Sequence, residues 1–444
     1  MALLTKAPRG TQDSLPEDTA KLRFIEATAL ETAALYGFRL IRTPTFEHTE
    51  LFDRSVGDTT DVVQKEMYTF IDKGGRSITL RPEGTAGIVR CVMEHGLLGD
   101  ALPLKTCYIS NCFRYEKPQA GRWREFSQFG VEMFGPAAPD ADAEVIALAR
   151  EIITTLGVTD ITLKLNSIGC PTCRAEYHKA LKEYFAHNAE NLCETCRGRM
   201  DKNPMRILDC KSPVCSEIAA GAPKVLDFIC DDCKAHFEGV KTRLTGAGIP
   251  FEIVPTLVRG LDYYTNTVFE FVSNAIGAQG TVCGGGRYNG LVEALGGSPT
   301  PALGFGMGIG RLMMVMKAAN SEYPQEKGCD IYLAPLGENA RQRAFELVKL
   351  LRAEGFAAET DLMGRSLKAQ MKYADKLGAA YTLVMGDSEL EQGIGKLKNM
   401  KTGTQTDVPL SDSLISTLYN LTLAEAVEDL SNTGLEGFNL NMLK

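Results

Sequence analysis

Eight of the chain's thirteen cysteines fall between Cys170 and Cys233, inside a charged, helix-patterned stretch that interrupts strand-and-turn sequence on both sides. A chain that leaves one texture and later returns to it holds a discontinuous domain. We therefore expect an inserted helical domain over residues 166–240 within a larger unit spanning 1–325. A second break follows at about Glu326. From there CDIYLAPL, NARQRAFELVKLLRAEG, FAAETDL, SLKAQMKYADKLGA and AYTLVMG alternate as β-α-β-α-β, which predicts a separate α/β domain over 328–424. The remainder, 425–444, is polar with scattered leucines and gives no physical reading. A length of 444 residues fits such a division, since domains commonly hold about 100–200 residues.

The cysteines also bear on chemistry. The opening MALLTKAPRGTQDSLPED has no apolar core of signal-peptide length, and no run of about 18 apolar residues could span a bilayer. The expectation is a cytoplasmic chain with reduced thiols and no membrane partner, in which CxxC pairs mean metal or packing before disulfides. Three such pairs, Cys170/Cys173, Cys193/Cys196 and Cys230/Cys233, and the looser Cys210/Cys215 could supply one or two four-thiolate structural Zn²⁺ sites; cysteine as an ordinary core residue is the alternative. The formal net charge of −8 offers polyphosphate no overall attraction, so nucleic-acid binding would need a local basic patch.

Along the chain, apolar spacing from Pro16 to Tyr36 predicts an opening helix that stops at Gly37. FRLIRTPTFEHTELF reads as extended, with Pro44 ending any continuous pairing, and SITLRPEG and CYISNCFRYE read as strands. Four constellations then carry chemistry. Arg114, Glu116, Gln119, Arg122 and Trp123 form a charged loop between strands, where an arginine fork can meet a phosphate. Beyond it, Gln128 and Glu132 stand four apart, on one face if that segment is a strand. LRPEGT puts Glu83 and Thr85 on one face by the same argument, with Gly84 between them. LVRGLDYYTNTVFEF gathers Arg259, Asp262, Tyr263 and Tyr264. GFGMGIGRL has glycine at alternate positions before Arg311, without the βαβ setting of a dinucleotide fingerprint; the small residues would let a base or backbone approach closely.

RTPTFEHTELF, FRYEKPQAGRWREFSQFGVE and GFGMGIGRL resemble the three signature motifs of class II aminoacyl-tRNA synthetases. LRPEGT, LVRGLDYYTNTVFEF and GGGRYNGLVEALGG resemble segments of the histidyl-tRNA synthetase family, and the likeness runs from PRGTQD at Pro8 into the C-terminal domain. The resemblance implies an α/β fold overall: a catalytic domain on an antiparallel sheet with flanking helices, interrupted by the insertion, then an anticodon-binding α/β domain. It implies ATP with Mg²⁺, histidine and tRNA(His) as partners, and a homodimer with the segment around Pro44 at the contact. Glu83, Gly84, Thr85 and Gln128 would then hold the histidine amino group, and Glu132 and Tyr264 its imidazole, with Tyr263 lining the pocket. Arg114 and Arg259 would hold the α-phosphate, Arg311 the far phosphates, and Glu116 the nucleotide. Gln119 and Arg122 would meet the tRNA acceptor end.

Two positions depart from the family pattern: Gly310 stands where a glutamate is usual before Arg311, and Trp123 where a smaller or more polar residue is usual. Arg365, Lys368, Lys372 and Lys376 fall at spacings of one helix face and would supply the missing basic patch, with a merely solvated face as the alternative. The rival reading is a non-catalytic histidine-sensing relative, such as the regulatory subunit of ATP phosphoribosyltransferase, which needs neither the arginines nor the last domain. A zinc-dependent nucleic-acid-binding protein would explain the cysteines and none of the four constellations.

Overall fold

The computed structural model describes residues 4–57, 60, 62–119, 121–324 and 328–433. They form two compact units that part at Pro324. The first opens with α1 (Pro16–Leu35), where Pro16 supplies the fixed first turn and Glu17 and Asp18 face the positive end of the helix. Its Ile25, Ala29 and Ala33, four apart, are buried.

Strands β1 (Arg39–Leu40) and β2 (Phe46–His48) follow, with Pro44 in the gap between them. The extended reading then fails, because α2 (Thr49–Val56) begins at Thr49 and buries Phe52 and Val56 on one helical face. β3 (Tyr68–Ile71) and β4 (Ser77–Leu80) complete a three-stranded sheet with β2, and α3 (Thr85–Glu94) comes next. The ten-residue strands β5 (Leu104–Phe113) and β6 (Glu125–Phe134) form a long hairpin, followed by α4 (Pro139–Thr155) and β7 (Thr162–Ser167).

Four helices make the insertion: α5 (Pro171–Ala186), α6 (Glu194–Lys202), α7 (Pro213–Ala220) and α8 (Asp231–Gly246). The first three enclose a small core of their own around Tyr177, Leu181, Phe185 and Ile207. α8 runs past residue 240 and joins the main core through Phe237, Val240 and Leu244. β8 (Glu252–Ile253), β9 (Thr265–Val272), β10 (Thr281–Arg287), α9 (Leu291–Ala294), β11 (Ala302–Gly308) and α10 (Ile309–Ala318) finish the unit.

The large sheet has the order β1-β5-β6-β11-β10-β9-β7-β8, antiparallel except at its two ends. Strand alternation gives it two unlike faces. Phe129, Val131, Met133, Leu303, Phe305, Met307 and Cys283 point into the core with residues of α1, α4 and α10. Gln128, Gly130, Glu132, Gly304, Gly306 and Gly284 occupy the intervening positions, on the opposite face.

In the second unit, β12 (Ile331–Pro335), α11 (Glu338–Ala353), β13 (Ala358–Thr360), α12 (Leu367–Lys376) and β14 (Tyr381–Met385) follow the expected β-α-β-α-β order. The sequence reading stopped short of α13 (Asp387–Gln392), the hairpin β15 (Ile394–Asn399) and β16 (Gln405–Pro409), and α14 (Ser413–Thr433). The sheet order is β13-β12-β14-β15-β16. α14 carries Leu414 and Leu418 into this unit's core and extends through 425–433, so that part of the tail is helical; 434–444 lies outside the described residues. Among the described residues no helix is long and apolar enough to cross a membrane.

Candidate active site

The alternate glycines of β11 have a structural use that the sequence reading missed. β11 pairs with β6 so that Gly304 lies opposite Glu132 and Gly308 opposite Gln128. A Cβ on Gly304 would fall 2.1 Å from Glu132 Oε2, and one on Gly306 would fall 2.1 Å from Gln128 Nε2. On β10, a Cβ at Gly284 would strike the Arg259 guanidinium at 2.3 Å, and on β6 one at Gly130 would strike the Tyr108 ring at 2.3 Å. Gly304, Gly306, Gly284 and Gly130 thus give room to neighbouring side chains of the site itself, while Gly306, Gly308 and Gly310 also line the smaller of the two cavities described below.

Above this floor lies a cavity of about 540 Å³ lined by Glu83, Thr85, Tyr108, Gln128, Tyr263 and Tyr264, among others. Glu83 and Thr85 do meet, but not by strand alternation: β4 ends at Leu80, and Thr85 opens α3. The Glu83 carboxylate accepts the backbone N–H groups of Thr85 at 2.7 Å and Ala86 at 2.8 Å, capping α3 where its unpaired donors point. Gly84 stands between them, with Tyr108 packed where its Cβ would be.

Glu132 is fully buried beneath this cavity. It accepts Thr85 Oγ1 at 2.8 Å and Tyr108 OH at 3.1 Å on one oxygen, and the Tyr288 hydroxyl on the other. Burial pushes its carboxyl up to about 8 against the opposing pull of these donors. Burial also raises Glu83, while the N–H groups of α3 act the other way. Tyr108, Tyr263 and Tyr288 are raised well above the ordinary phenol, chiefly by burial, and remain hydroxyl donors. Tyr263 OH donates to Thr85 Oγ1 at 3.4 Å.

A second cavity of about 190 Å³ adjoins the first and holds Trp123, Phe126, Gly310 and Arg311. Arg114, Glu116, Arg122, Gln128 and Arg259 line both. Here the arginines are parked on protein oxygens. Arg114 Nε donates to Pro82 O at 2.8 Å, Arg311 to Gly121 O at 3.1 Å and Thr281 O at 2.8 Å, and Arg259 pairs with Glu270. Glu116 pairs with Arg122 at 3.0 Å. Burial and the neighbouring Arg122 and Arg114 charges lower Arg311 from its usual value. A Cβ added at Gly310 meets nothing within 4 Å, so the departure there leaves open space rather than a changed packing.

Most of the sequence-chosen residues therefore converge, and the exceptions have reasons. Gln119 is exposed at the tip of the β5–β6 hairpin, where it exchanges backbone hydrogen bonds with Arg122, and it lines neither cavity. The basic stripe is shorter than expected. Arg365 precedes α12, its guanidinium bonded to Asp361 at 3.0 Å and lying 4.4 Å from the centre of the Tyr373 ring, while Lys368, Lys372 and Lys376 are exposed on the helix. Sequence reasoning missed Tyr108 and Tyr288, although CYISNCF and GGGRYNG were both in view. It also missed Arg206 of the insertion, which lines the larger cavity and donates to Arg259 O at 2.9 Å. The eight insertion cysteines sort into two groups, Cys170, Cys173, Cys230 and Cys233, and Cys193, Cys196, Cys210 and Cys215.

A pocket that can grip a small amphoteric molecule, opening onto a chamber ringed by arginines, can hold a carboxylate against a triphosphate and neutralise the charge between them. On this antiparallel sheet, that is the arrangement of a class II aminoacyl-tRNA synthetase. Residues 10–173 and 217–312 match the histidyl-tRNA synthetase family profile, and 330–418 match an anticodon-binding domain. The chain is 55% identical to the histidine–tRNA ligase of Acetivibrio thermocellus over 94% of its own length and all of that protein. It is 52% identical to that of Clostridioides difficile, covering 92% of this chain and 98% of the relative. Among solved structures, apo histidyl-tRNA synthetase of S. aureus superposes with a TM-score of 0.80 at 41% identity, covering 94% of this chain and all of the other. A Bacillus halodurans protein described as an ATP phosphoribosyltransferase regulatory subunit/histidyl-tRNA synthetase gives 0.63 at 25% identity over 87% of this chain and 99% of its own. The chain belongs to the histidyl-tRNA synthetase family.

Proposed function

We propose that this chain joins histidine to tRNA(His) by way of a histidyl-adenylate, with the larger cavity taking the amino acid and the smaller the nucleotide. The observation that carries the reading is the set of arginines at the junction of the two cavities: Arg114, Arg122 and Arg259 line both, and Arg311 lines the smaller. A histidine-sensing relative has no use for such a ring of cations.

Glu83, Thr85 and Gln128 face the amino group, and Tyr263 and Tyr264 wall the side chain, with Gly84 leaving room for Tyr108. Glu132 reads the imidazole from below, exchanging one of its hydroxyl donors for a ring N–H. Because the histidine carboxylate is itself the nucleophile, no general base is required; the work is alignment and charge neutralisation at phosphorus by Arg114 and Arg259, with Arg311 on the far phosphates. Mg²⁺ neutralises triphosphate charge when bound. Glu116 and Glu270 are carboxylates suited to it once their arginine partners turn to the nucleotide. Gln119 and Arg122 at the hairpin, and Lys368 and Lys372 with Arg365 in the anticodon-binding unit, meet the tRNA.

A homodimer is favoured by the exposed Leu40 and Phe46 on either side of Pro44, with Phe70 and Ile71 exposed on the same three-stranded sheet as Phe46. Cysteines that are all free suit a reducing cytoplasm. Structural Zn²⁺ would belong to the insertion's cysteines and take no chemical step in the reaction. Histidine-dependent exchange of pyrophosphate into ATP, run beside other amino acids, tests the central reading: exchange with histidine alone supports it, and histidine binding without exchange returns the chain to the sensing class.

A further inference from the structure

The insertion's cysteines form two separate quartets, one at its root and one against the active site. In each, the four sulfurs lie within 4.8 Å of one another. The distances of 3.5 Å for Cys170–Cys173, 3.9 Å for Cys173–Cys233 and 3.9 Å for Cys193–Cys210 bracket the value of about 3.8 Å that sulfurs take around a tetrahedral ion bound at about 2.3 Å. A disulfide would need about 2.05 Å.

Apolar packing accounts for the buried Cys173, Cys196, Cys215 and Cys233, and for part of Cys193 and Cys210, but not for the exposed Cys230 or for the gathering of four sulfurs at each place. The sulfurs also receive hydrogen bonds that suit thiolates. The backbone N–H of Cys230 donates to Cys173 Sγ at 3.1 Å, that of Cys193 to Cys215 Sγ at 3.2 Å, and Asn266 Nδ2 to Cys233 Sγ at 3.4 Å.

The quartets differ in what they hold. Cys170 and Cys230 stand at the N-caps of α5 and α8, so the outer group joins the point where the chain enters the insertion to the point where it leaves. The inner group lies wholly within residues 174–216, which the family profile passes over, and its Cys193 and Cys210 line the larger cavity. Between Cys196 and Cys210 lie Asn203, which donates to Asp262 Oδ1 at 2.9 Å, and Arg206, which donates to Arg259 O at 2.9 Å. That segment therefore props the loop that presents Arg259, Tyr263 and Tyr264.

We propose that each quartet binds one Zn²⁺ as a tetrathiolate, the outer ion clasping the root of the insertion and the inner ion positioning the Arg206 segment against the Arg259 loop. This rests on the zinc-bearing reading of the insertion and divides it into two sites with different work. Each ion takes four thiolates, and the thiol protons leave to solvent.

The test uses the full chain, purified under reducing conditions without added metal. Two zinc ions per chain are expected, with four sulfurs at about 2.3 Å by X-ray absorption. Cys193→Ser with Cys196→Ser, and Cys170→Ser with Cys173→Ser, should each remove one ion and spare the other. The inner pair should lower kcat of histidine-dependent exchange by roughly 10- to 100-fold with little change in the histidine KM, the cost of a displaced arginine. Arg206→Ala should reproduce that loss while retaining both ions, which separates positioning from misfolding. No zinc, with every thiol titrating free, overturns the zinc reading altogether. Iron in its place, a single ion, or loss of both ions from either pair overturns the two-site assignment while leaving the active-site reading intact. Two ions in the unsubstituted chain, with kcat unaltered in the inner-pair variant and in Arg206→Ala, overturn the positioning role.

Discussion

Arg259 stands between the two cavities and is held to Glu270, with its side chain resting over Gly284. In the role proposed for it, its charge counts most as negative charge builds at phosphorus, so Arg259→Ala should leave histidine binding largely intact and lower exchange by about 100- to 1000-fold, equivalent to about 2.7–4 kcal/mol. Isothermal titration with histidine beside the exchange assay checks this; near-normal exchange in a folded variant would remove Arg259 from the site. Glu132 makes a prediction of a different kind. Its folded carboxyl lies near 8 against 4.5 for a free one, so the folded protein binds the proton more tightly than the unfolded chain does. The contribution is therefore fully present below pH 4.5 and is lost as pH rises toward 8, with Glu83 acting in the same direction. Glu132→Gln should remove part of this slope, on the order of a few kcal/mol, and flatten the fall of Tm between pH 5 and 8.5 in calorimetry of the free protein. Parallel curves for the two proteins would place the slope elsewhere. At this scale the sequence was informative wherever a side chain's role follows from its own chemistry. The hydroxyls of Tyr108 and Tyr288 were not legible, because only their meeting at Glu132 gives them meaning.

Among elements, the pairing of β6 with β11 does most to build the site. Gln128 and Glu132 were readable as one face of a strand because alternation is local. The strand opposite them was not, since register depends on partners far apart in sequence. The same limit explains LRPEGT: Glu83 and Thr85 belong together because a helix starts at Thr85 and Glu83 caps it, not because a strand passes through both. If the β11 glycines exist to admit side chains from β6, Gly304→Ala should raise the histidine KM at least about tenfold, since its Cβ would overlap Glu132 Oε2 and Val131 O at 2.1 Å, and overpacking of this sort commonly costs about 1–3 kcal/mol. Gly310→Glu, placed in open space, should fold normally. Steady-state kinetics with circular dichroism distinguishes the two, and an unchanged KM in Gly304→Ala would sink the packing account.

At the scale of the whole molecule, the division at Pro324 separates a unit with the complete pair of cavities from a unit with its own core. A chain ending at Pro324 should retain histidine-dependent exchange and charge tRNA poorly, because the residues that match an anticodon-binding domain lie in the missing part; full charging would refute the tRNA contact proposed there. The two-unit plan could be read from the sequence since texture changes are additive over many residues. The β15–β16 hairpin and α14 could not, because short polar strands, and a helix whose leucines are spread among serines and threonines, announce themselves only through the core they complete. The glycine floor also bears on how such a protein can change over generations. Its specificity is kept by atoms that are missing, and every substitution at Gly304 or Gly306 adds some. Mutation can close this pocket from the β11 side but cannot remodel it from there, so any drift toward another amino acid would have to begin among the walls that carry side chains to exchange, such as Gln128 on β6 or Tyr263 and Tyr264.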